Sequence, residues 1–353
     1  MTPQTSSAVR ELSFSQAINE AIRLEMRRDP TVIVMGEDIA GAAGRAHLGF
    51  VDAWGGTLRA TRGLITEFGP QRVLDTPISE MGFMGAAVGA AMTGLRPIVE
   101  IMFVDLIGCC FDQLLNQASK MHYMTGGQVA IPMVIRLPYG TRGSALQNYG
   151  GGAGAQHSQT LYSLLAHIPG LKVVVPSSAY QAKGLMISAI RDGGPVVVME
   201  HKFLGSAAKG DVPEGSYTTP IGKAEVLRSG DDITLCGIGR MTHVCLEVAA
   251  GLASDGISAE VIDVVTLAPL DEFTILDSVR RTHRLVVVDE DTATASMARD
   301  IAARVVEKAF DWLDAPVKCV TAPETPVPFA AVLEKLYVPT CARVISAARE
   351  LMS

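Results

Sequence analysis

Residues 72–103 read RVLDTPISEMGFMGAAVGAAMTGLRPIVEIMF. After TPISE a helix is expected, built largely from Gly82, Gly85, Ala86, Ala87, Gly89, Ala90 and Ala91 and ending near Gly94, and the β-branched run RPIVEIMF follows it as a strand. So many small residues weaken an isolated helix, so this one needs close contact with something else. Its own sheet is one possibility and a second subunit or cofactor is the other, and the residues leave both open. Outward from this unit the alternation repeats. TVIVMG, IPMVIRLP, LKVVVP and PVVVME before residue 201, then DITLCGI, AEVIDVV, RLVVVD and PVKCVTA after it, are short apolar runs separated by helical periodicity. The pattern predicts an α/β fold, a mostly parallel sheet with helices on both faces.

A chain of 353 residues exceeds what one core usually organises, so two domains are expected. The stretch SAAKGDVPEGSYTTP, residues 206–220, is rich in small residues, Gly and Pro and lacks periodicity, which marks it as a linker between domains at 1–205 and 221–353. With 48% hydrophobic and 19% charged residues the chain can bury large cores. A net charge of -7 with mixed signs argues against binding nucleic acid. No apolar run reaches the roughly 18 to 20 residues of a membrane span, and MTPQTSSAVRELSFSQ lacks a basic region followed by an apolar stretch, so a cytoplasmic enzyme is expected. Cys109, Cys110, Cys236, Cys245, Cys319 and Cys341 are scattered without CxxC spacing, which predicts reduced, buried thiols rather than zinc or disulfides.

Several motifs have both an ordinary and a functional reading. The strand DITLCGIG runs into a helix, and the next strand ends at Asp263, which imitates a dinucleotide fingerprint through Gly237 and Gly239. Thr242 stands where the third glycine belongs, so a tight strand-to-helix turn is the better reading. Gly150, Gly151, Gly152 and Gly154 are not followed by GK[ST] and read as a flexible loop delivering His157. The two glycine-bearing loops at 36–57 and 139–156 are long for this architecture, as functional loops tend to be. Glu80 opens the small-residue helix, where an acid is ordinarily solvated and helped by the helix dipole. Its neighbours Ile78, Met81 and Phe83 point instead to a carboxyl pressed towards its neutral form, able to share a proton with a ligand nitrogen. His157 is either a surface-loop histidine or a proton-transfer group beside a pocket.

GED at 36–38, the stretch 72–103, AQHSQ at 155–159, PGLKVVVPSSAYQAKGL at 169–185 and IRDGGPVVVMEHK follow one another in an order that resembles the β subunits of 2-oxo acid dehydrogenase complexes, over nearly the whole chain. Within that family DAWGG, GRMTH, VTAPETPVPF and LEKLYVP are similar to acetoin dehydrogenase β subunits, with pyruvate and branched-chain enzymes next. The resemblance implies a thiamine diphosphate-binding, pyrimidine-domain-like fold followed by a transketolase C-terminal-like domain. It implies that Glu80 hydrogen-bonds the aminopyrimidine ring nitrogen, so that the cofactor's imino nitrogen removes the thiazolium proton. It further implies that Glu37, Ile78, Met102 and Leu106 line the pyrimidine pocket, with the aliphatic Leu106 where relatives carry an aromatic ring, and that His157 faces the reacting carbon and incoming lipoyl group. A structural potassium ion would sit at Met133, Ala189, Ile190, Asp192 and Gly194. Nothing in the chain reads GDG followed some 25 to 30 residues later by NN, the family's magnesium and diphosphate pattern. An α subunit is therefore expected to bring magnesium and the diphosphate half of the site, in an α2β2 assembly that passes acyl units from a small-molecule substrate to a lipoyl-bearing acyltransferase core. The rival readings are an NAD-dependent oxidoreductase using Gly237, Gly239 and Asp263, and a non-catalytic scaffold.

Overall fold

Residues 9–41, 55–142 and 152–353 are described by a computed structural model. They fall into two units, one of Met1–Pro138, Ile168–Lys172 and Ser178–Pro220, the other of Tyr139–His167, Val173–Ser177 and Ile221–Ser353. Strands of the first stretch are β1 (Val9–Ser13), β2 (Val32–Gly36), β3 (Val73–Asp75), β4 (Arg96–Glu100), β5 (Val134–Tyr139), β6 (Lys172–Val174), β7 (Val196–His201) and β8 (Lys209–Pro213). The main sheet runs β6-β7-β5-β4-β2-β3, and β2 pairs parallel with both β3 and β4, as β4 does with β5. Every residue of β2, β5 and β7 is buried. Helices cover both faces of such a sheet, and continuous rather than alternating apolar runs are what that cover selects. The Phe14–Arg28 helix starts at a reciprocal cap, in which the Ser13 side chain accepts from Gln16 N–H and the Gln16 side chain from Ser13 N–H. It buries Phe14, Ile18, Ala21, Ile22 and Met26, a stripe at helical spacing, and packs against the Ala179–Arg191 helix.

The second unit holds β9 (Glu225–Arg228), β10 (Ile233–Gly237), β11 (Ala259–Asp263), β12 (Thr266–Ala268), β13 (Leu285–Thr292) and β14 (Lys318–Ala322). Its sheet runs β14-β13-β10-β11-β9, parallel except for the antiparallel edge β9. Ile233, Leu235, Val248, Val261, Val286 and Val288 belong to its core. The strand β12 pairs antiparallel with Val173 and Val174.

The nine strands expected from apolar runs are all present. Five more, β1, β3, β8, β9 and β12, are short or carry exposed polar residues, and apolar runs do not signal them. The stretch expected as a linker opens inside the helix Lys202–Ala207 and then forms β8, which pairs antiparallel with β1. The small-residue helix, for which two readings stood open, packs through its larger apolar residues and alanines. It buries Phe83, Met84, Ala87, Val88 and Ala91 and packs on β4 and the turn Val104–Cys110, whereas Gly82, Ala86 and Gly89 are exposed. A Cβ on Gly89 would meet nothing within 4 Å. The glycines therefore do not serve contact with this chain's own sheet. The cysteines are free, as expected, but Cys109 is exposed because it lies on the outer side of that turn, and Cys319 and Cys341 are only partly buried. The middle of the long loops, including residues 52–54, Gly150 and Gly151, lies outside the described residues. Among the described residues, no helix is long and apolar enough to cross a membrane.

Candidate active site

Because β3, β2 and β4 run parallel, their carboxyl ends lie on one edge of the sheet, the edge at which such folds bind ligands. Glu37 follows β2, Ile78 and Glu80 follow β3, and Met102 and Leu106 follow β4. The structure thus brings all five expected pocket residues to one edge. Gly36 sits where a Cβ would come within 2.7 Å of the Glu100 carbonyl oxygen, so only glycine lets β2 end this close to β4. Glu80 begins the Glu80–Met92 helix and is 8% exposed, and Glu37 is 6% exposed. Buried carboxylates normally have partners, yet Glu37 Oε1 has none among the described residues. Burial first, then the charges of Glu80 and Asp38, push the Glu37 carboxyl up to about 7.

The apolar company expected around Glu80 is only partly present. Ile78 is 86% exposed and Met81 is 61% exposed, so of the three apolar neighbours only Phe83 is buried. The GED stretch places Glu37, but no local sequence signal announces that its carboxyl is raised. An acceptor without a partner beside a second buried carboxyl matches a ligand that offers N–H donors and a ring nitrogen able to take a proton. An aminopyrimidine has both, so the residues present fit the pyrimidine half of thiamine diphosphate.

Two further groups of buried charge escaped sequence reasoning. Arg136, fully buried on β5, donates from Nε and Nη2 to Glu200 at 2.6 and 2.8 Å and from Nη1 to Glu100. Burial pulls the guanidinium down, but the two carboxylates outweigh it and hold it above its ordinary value. Glu100 also accepts from Thr57 N–H at 3.0 Å, and Gly56, at φ +76, approaches so closely that a Cβ would lie 2.4 Å from its carboxylate. The last glycine of DAWGG is therefore a close-approach residue. The second group, Asp289, Glu290 and Asp291 on β13, is buried in the other unit. In both groups the available signal is an acid or base inside or closing a β-branched run.

His157 belongs to the second unit and is half-buried. Gly140 N–H donates to the Gln159 carbonyl at 2.9 Å, His157 N–H to that of Gly154 at 3.3 Å, and Gly152 N–H to that of Phe329 at 2.7 Å. A Cβ on Gly152 would lie 2.4 Å from Glu334 Oε1. The described end of the glycine run thus lies against protein groups.

The dinucleotide imitation is an ordinary turn. A Cβ on Gly237 would meet Thr242 Cα at 2.4 Å, and one on Gly239, at φ +55, would meet the Tyr139 hydroxyl at 2.2 Å. Asp263 accepts from Ser177 Oγ, Thr242 Oγ1 and Val265 N–H, so the acid that a ribose would need is committed to the fold. At the positions implied for potassium, Arg96 Nη1 donates to the carbonyls of Ile190 and Asp192 at 2.8 and 2.9 Å, and Val196 N–H to that of Met133 at 3.0 Å. The Asp192 side chain accepts from Gly194 N–H and Lys172 Nζ. Each carbonyl oxygen has a second lone pair, so these bonds neither require a cation nor exclude one.

Two family models match the chain, "Transketolase, pyrimidine binding domain" over residues 10–206 and "Transketolase, C-terminal domain" over residues 222–344. The "Acetoin:2,6-dichlorophenolindophenol oxidoreductase subunit beta" of Bacillus subtilis is 52% identical over 97% of this chain and 98% of its own length. Its namesake from Cupriavidus necator is 51% identical over the same shares. The "Pyruvate dehydrogenase E1 component subunit beta" of Rickettsia felis is 42% identical, again over 97% and 98%. A solved structure described as "Split gene transketolase, inactive beta4 tetramer" has a TM-score of 0.73 over 96% of this chain and 98% of that one, and at 22% identity it speaks for the fold. The chain therefore belongs to the family of acetoin oxidoreductase and pyruvate dehydrogenase E1 β subunits, built on the transketolase pyrimidine-binding and C-terminal domains.

Proposed function

We propose that this chain is the β subunit of a thiamine diphosphate-dependent dehydrogenase component acting on acetoin, with pyruvate and then branched-chain 2-oxo acids as the nearer alternatives, and that it works only with an α subunit. The observation that carries the reading is the buried Glu37 and Glu80 pair at the carboxyl edge of a pyrimidine-binding domain, with Glu37 Oε1 lacking a partner among the described residues. When bound, the cofactor supplies a thiazolium carbon acidic enough to lose its proton and add to a carbonyl. Glu80 holds and moves a proton at the aminopyrimidine ring nitrogen. Glu37, partly protonated near neutral pH, keeps that pair from carrying two full negative charges. Ile78, Met102 and Leu106 bind the pyrimidine ring and exclude water from it, and the exposure of Ile78 in the single chain suits a site completed by a partner. His157 faces the reacting carbon and the incoming lipoyl group, where its imidazolium would give a proton to the sulfur that leaves as the lipoyl ring opens.

The α subunit supplies magnesium and the diphosphate contacts, for which this sequence has no GDG and NN pattern. The finer parts of the proposal are an α2β2 assembly in the cytoplasm, a lipoyl-bearing acyltransferase core as acceptor, a domain boundary at 206–220, and a structural potassium ion at Met133, Ala189, Ile190, Asp192 and Gly194. Calorimetry tests the division of labour. Thiamine diphosphate with magnesium should bind weakly to this chain alone and tightly once the α subunit is added. Tight, magnesium-dependent binding to the isolated chain would overturn the subunit reading.

A further inference from the structure

The segment that carries His157 has stems at Thr141 and at Tyr162–Ala166, a short helix, and both stems are tied to three consecutive acids of β13. At the first stem Thr141 gives both its N–H and its hydroxyl to Glu290 Oε1, at 2.7 and 2.8 Å. Arg240 braces the pair, with Nη1 3.0 Å from Thr141 Oγ1 and 3.8 Å from Glu290 Oε2. At the second stem the Tyr162 hydroxyl donates to Asp289, and the Ser163 hydroxyl donates to Asp291 Oδ2 at 2.8 Å. Successive strand residues point to opposite faces. The middle acid therefore holds one stem and the outer two hold the other.

The acids are themselves fixed. Asp289 accepts from Asp291 N–H at 2.9 Å and Ala298 N–H at 3.1 Å, and Asp291 accepts from Thr292 N–H at 2.8 Å. All three are buried, where the same strand carries apolar residues at Val286 and Val288. Burying three adjacent carboxyls is costly unless they are bonded, and their partners include both ends of one segment. The stems also meet each other through Gly140 N–H and the Gln159 carbonyl, and the ring of Tyr139 meets that of Tyr162 edge-on at 5.6 Å.

Resting on the proposed role of His157 in lipoyl transfer, we infer that Asp289, Glu290 and Asp291 are positioning residues that fix both stems of the His157 segment and so set where its imidazole stands. Their loss misplaces His157, and a misplacement of about 1 Å can cost on the order of 100-fold in rate.

The test uses the assembled complex with its α partner, comparing wild type with Glu290→Gln, Asp291→Asn and the milder Ser163→Ala, which removes one hydroxyl and secures an assembled variant. Three quantities are read: reduction of a lipoylated acyltransferase domain, hydrogen/deuterium exchange at the thiazolium carbon, and amide exchange over residues 152–163. The expected result is a roughly 10- to 100-fold fall in lipoyl reduction for the acid variants, a smaller fall for Ser163→Ala, unchanged thiazolium exchange, and faster amide exchange over 152–163. Normal lipoyl reduction with protected amides overturns the inference. So does an equal fall in lipoyl reduction and thiazolium exchange, which would mark the acids as merely structural. His157→Ala is run beside them. If it leaves lipoyl reduction intact, the role given to His157 fails, and the amide exchange still decides whether the acids hold the segment.

Discussion

Replacing Glu37 with glutamine keeps the side chain's volume and removes its charge, and the structure sets the size of the effect. In the folded chain the Glu37 carboxyl is raised from 4.5 to about 7, by burial first and by Glu80 and Asp38 after it. Ionising it in place is therefore harder than in the unfolded chain, by about 1.4 kcal/mol per pKa unit, or on the order of 3 kcal/mol in all. A folded pKa above the unfolded one means that the stability Glu37 contributes is fully present below pH 4.5 and is lost as the pH rises through about 7. Glutamine does not titrate. Wild type should thus lose stability relative to Glu37→Gln across that window, by on the order of 10 °C in melting temperature for a unit of this size. The assay is a series of thermal melts of the cofactor-free complex from pH 5 to pH 8, with Glu80→Gln as a third sample. Removing the Glu80 charge should shift the wild-type loss to lower pH, since that charge is the second cause of the raised value. Parallel pH dependence of wild type and Glu37→Gln would refute the argument, because it would mean that Glu37 does not titrate near neutrality.

Three other outcomes are expected. Glu80→Gln in the assembled complex should slow hydrogen/deuterium exchange at the thiazolium carbon by about 10²- to 10⁴-fold, the usual worth of a general acid or base; equal rates would return Glu80 to an ordinary helix-end carboxylate. His157→Ala should impair reduction of lipoyl groups more than it weakens cofactor binding, and a cofactor titration that worsens while transfer stays normal would contradict that placement. Arg136→Met strands Glu100 and Glu200 in the core and should destabilise the chain by about 3–5 kcal/mol in denaturant unfolding. Converting both acids to glutamine in the same background should recover much of that loss, and no recovery would mean that the unpaired charge is not the cause.

The sequence by itself determined the strands that are buried on both faces. TVIVMG, PVVVME and RLVVVD announce themselves because a parallel sheet under helices needs apolar side chains at every position, a demand met within one short run of chain. The order GED, TPISE, AQHSQ likewise put forward Glu37, Glu80 and His157 as candidates, since each stands inside a recognisable local stretch. Tertiary structure alone decided what depends on residues far apart in the chain. The strand β8 forms only because β1 returns to pair with it, so its Gly, Pro and charged residues read locally as a linker. The small-residue helix was ambiguous because glycine spacing does not say which face turns inward, and the fold leaves Gly82 and Gly89 outside. Glu37 becomes the raised carboxyl only when the fold buries it and, second, when the parallel pairing of β2 and β3 brings the Glu80 charge near, and Asp289, Glu290 and Asp291 find Thr141, Tyr162 and Ser163 only once β13 is in its sheet. Electrostatic interaction depends on distance in space, and separation along the chain does not encode it.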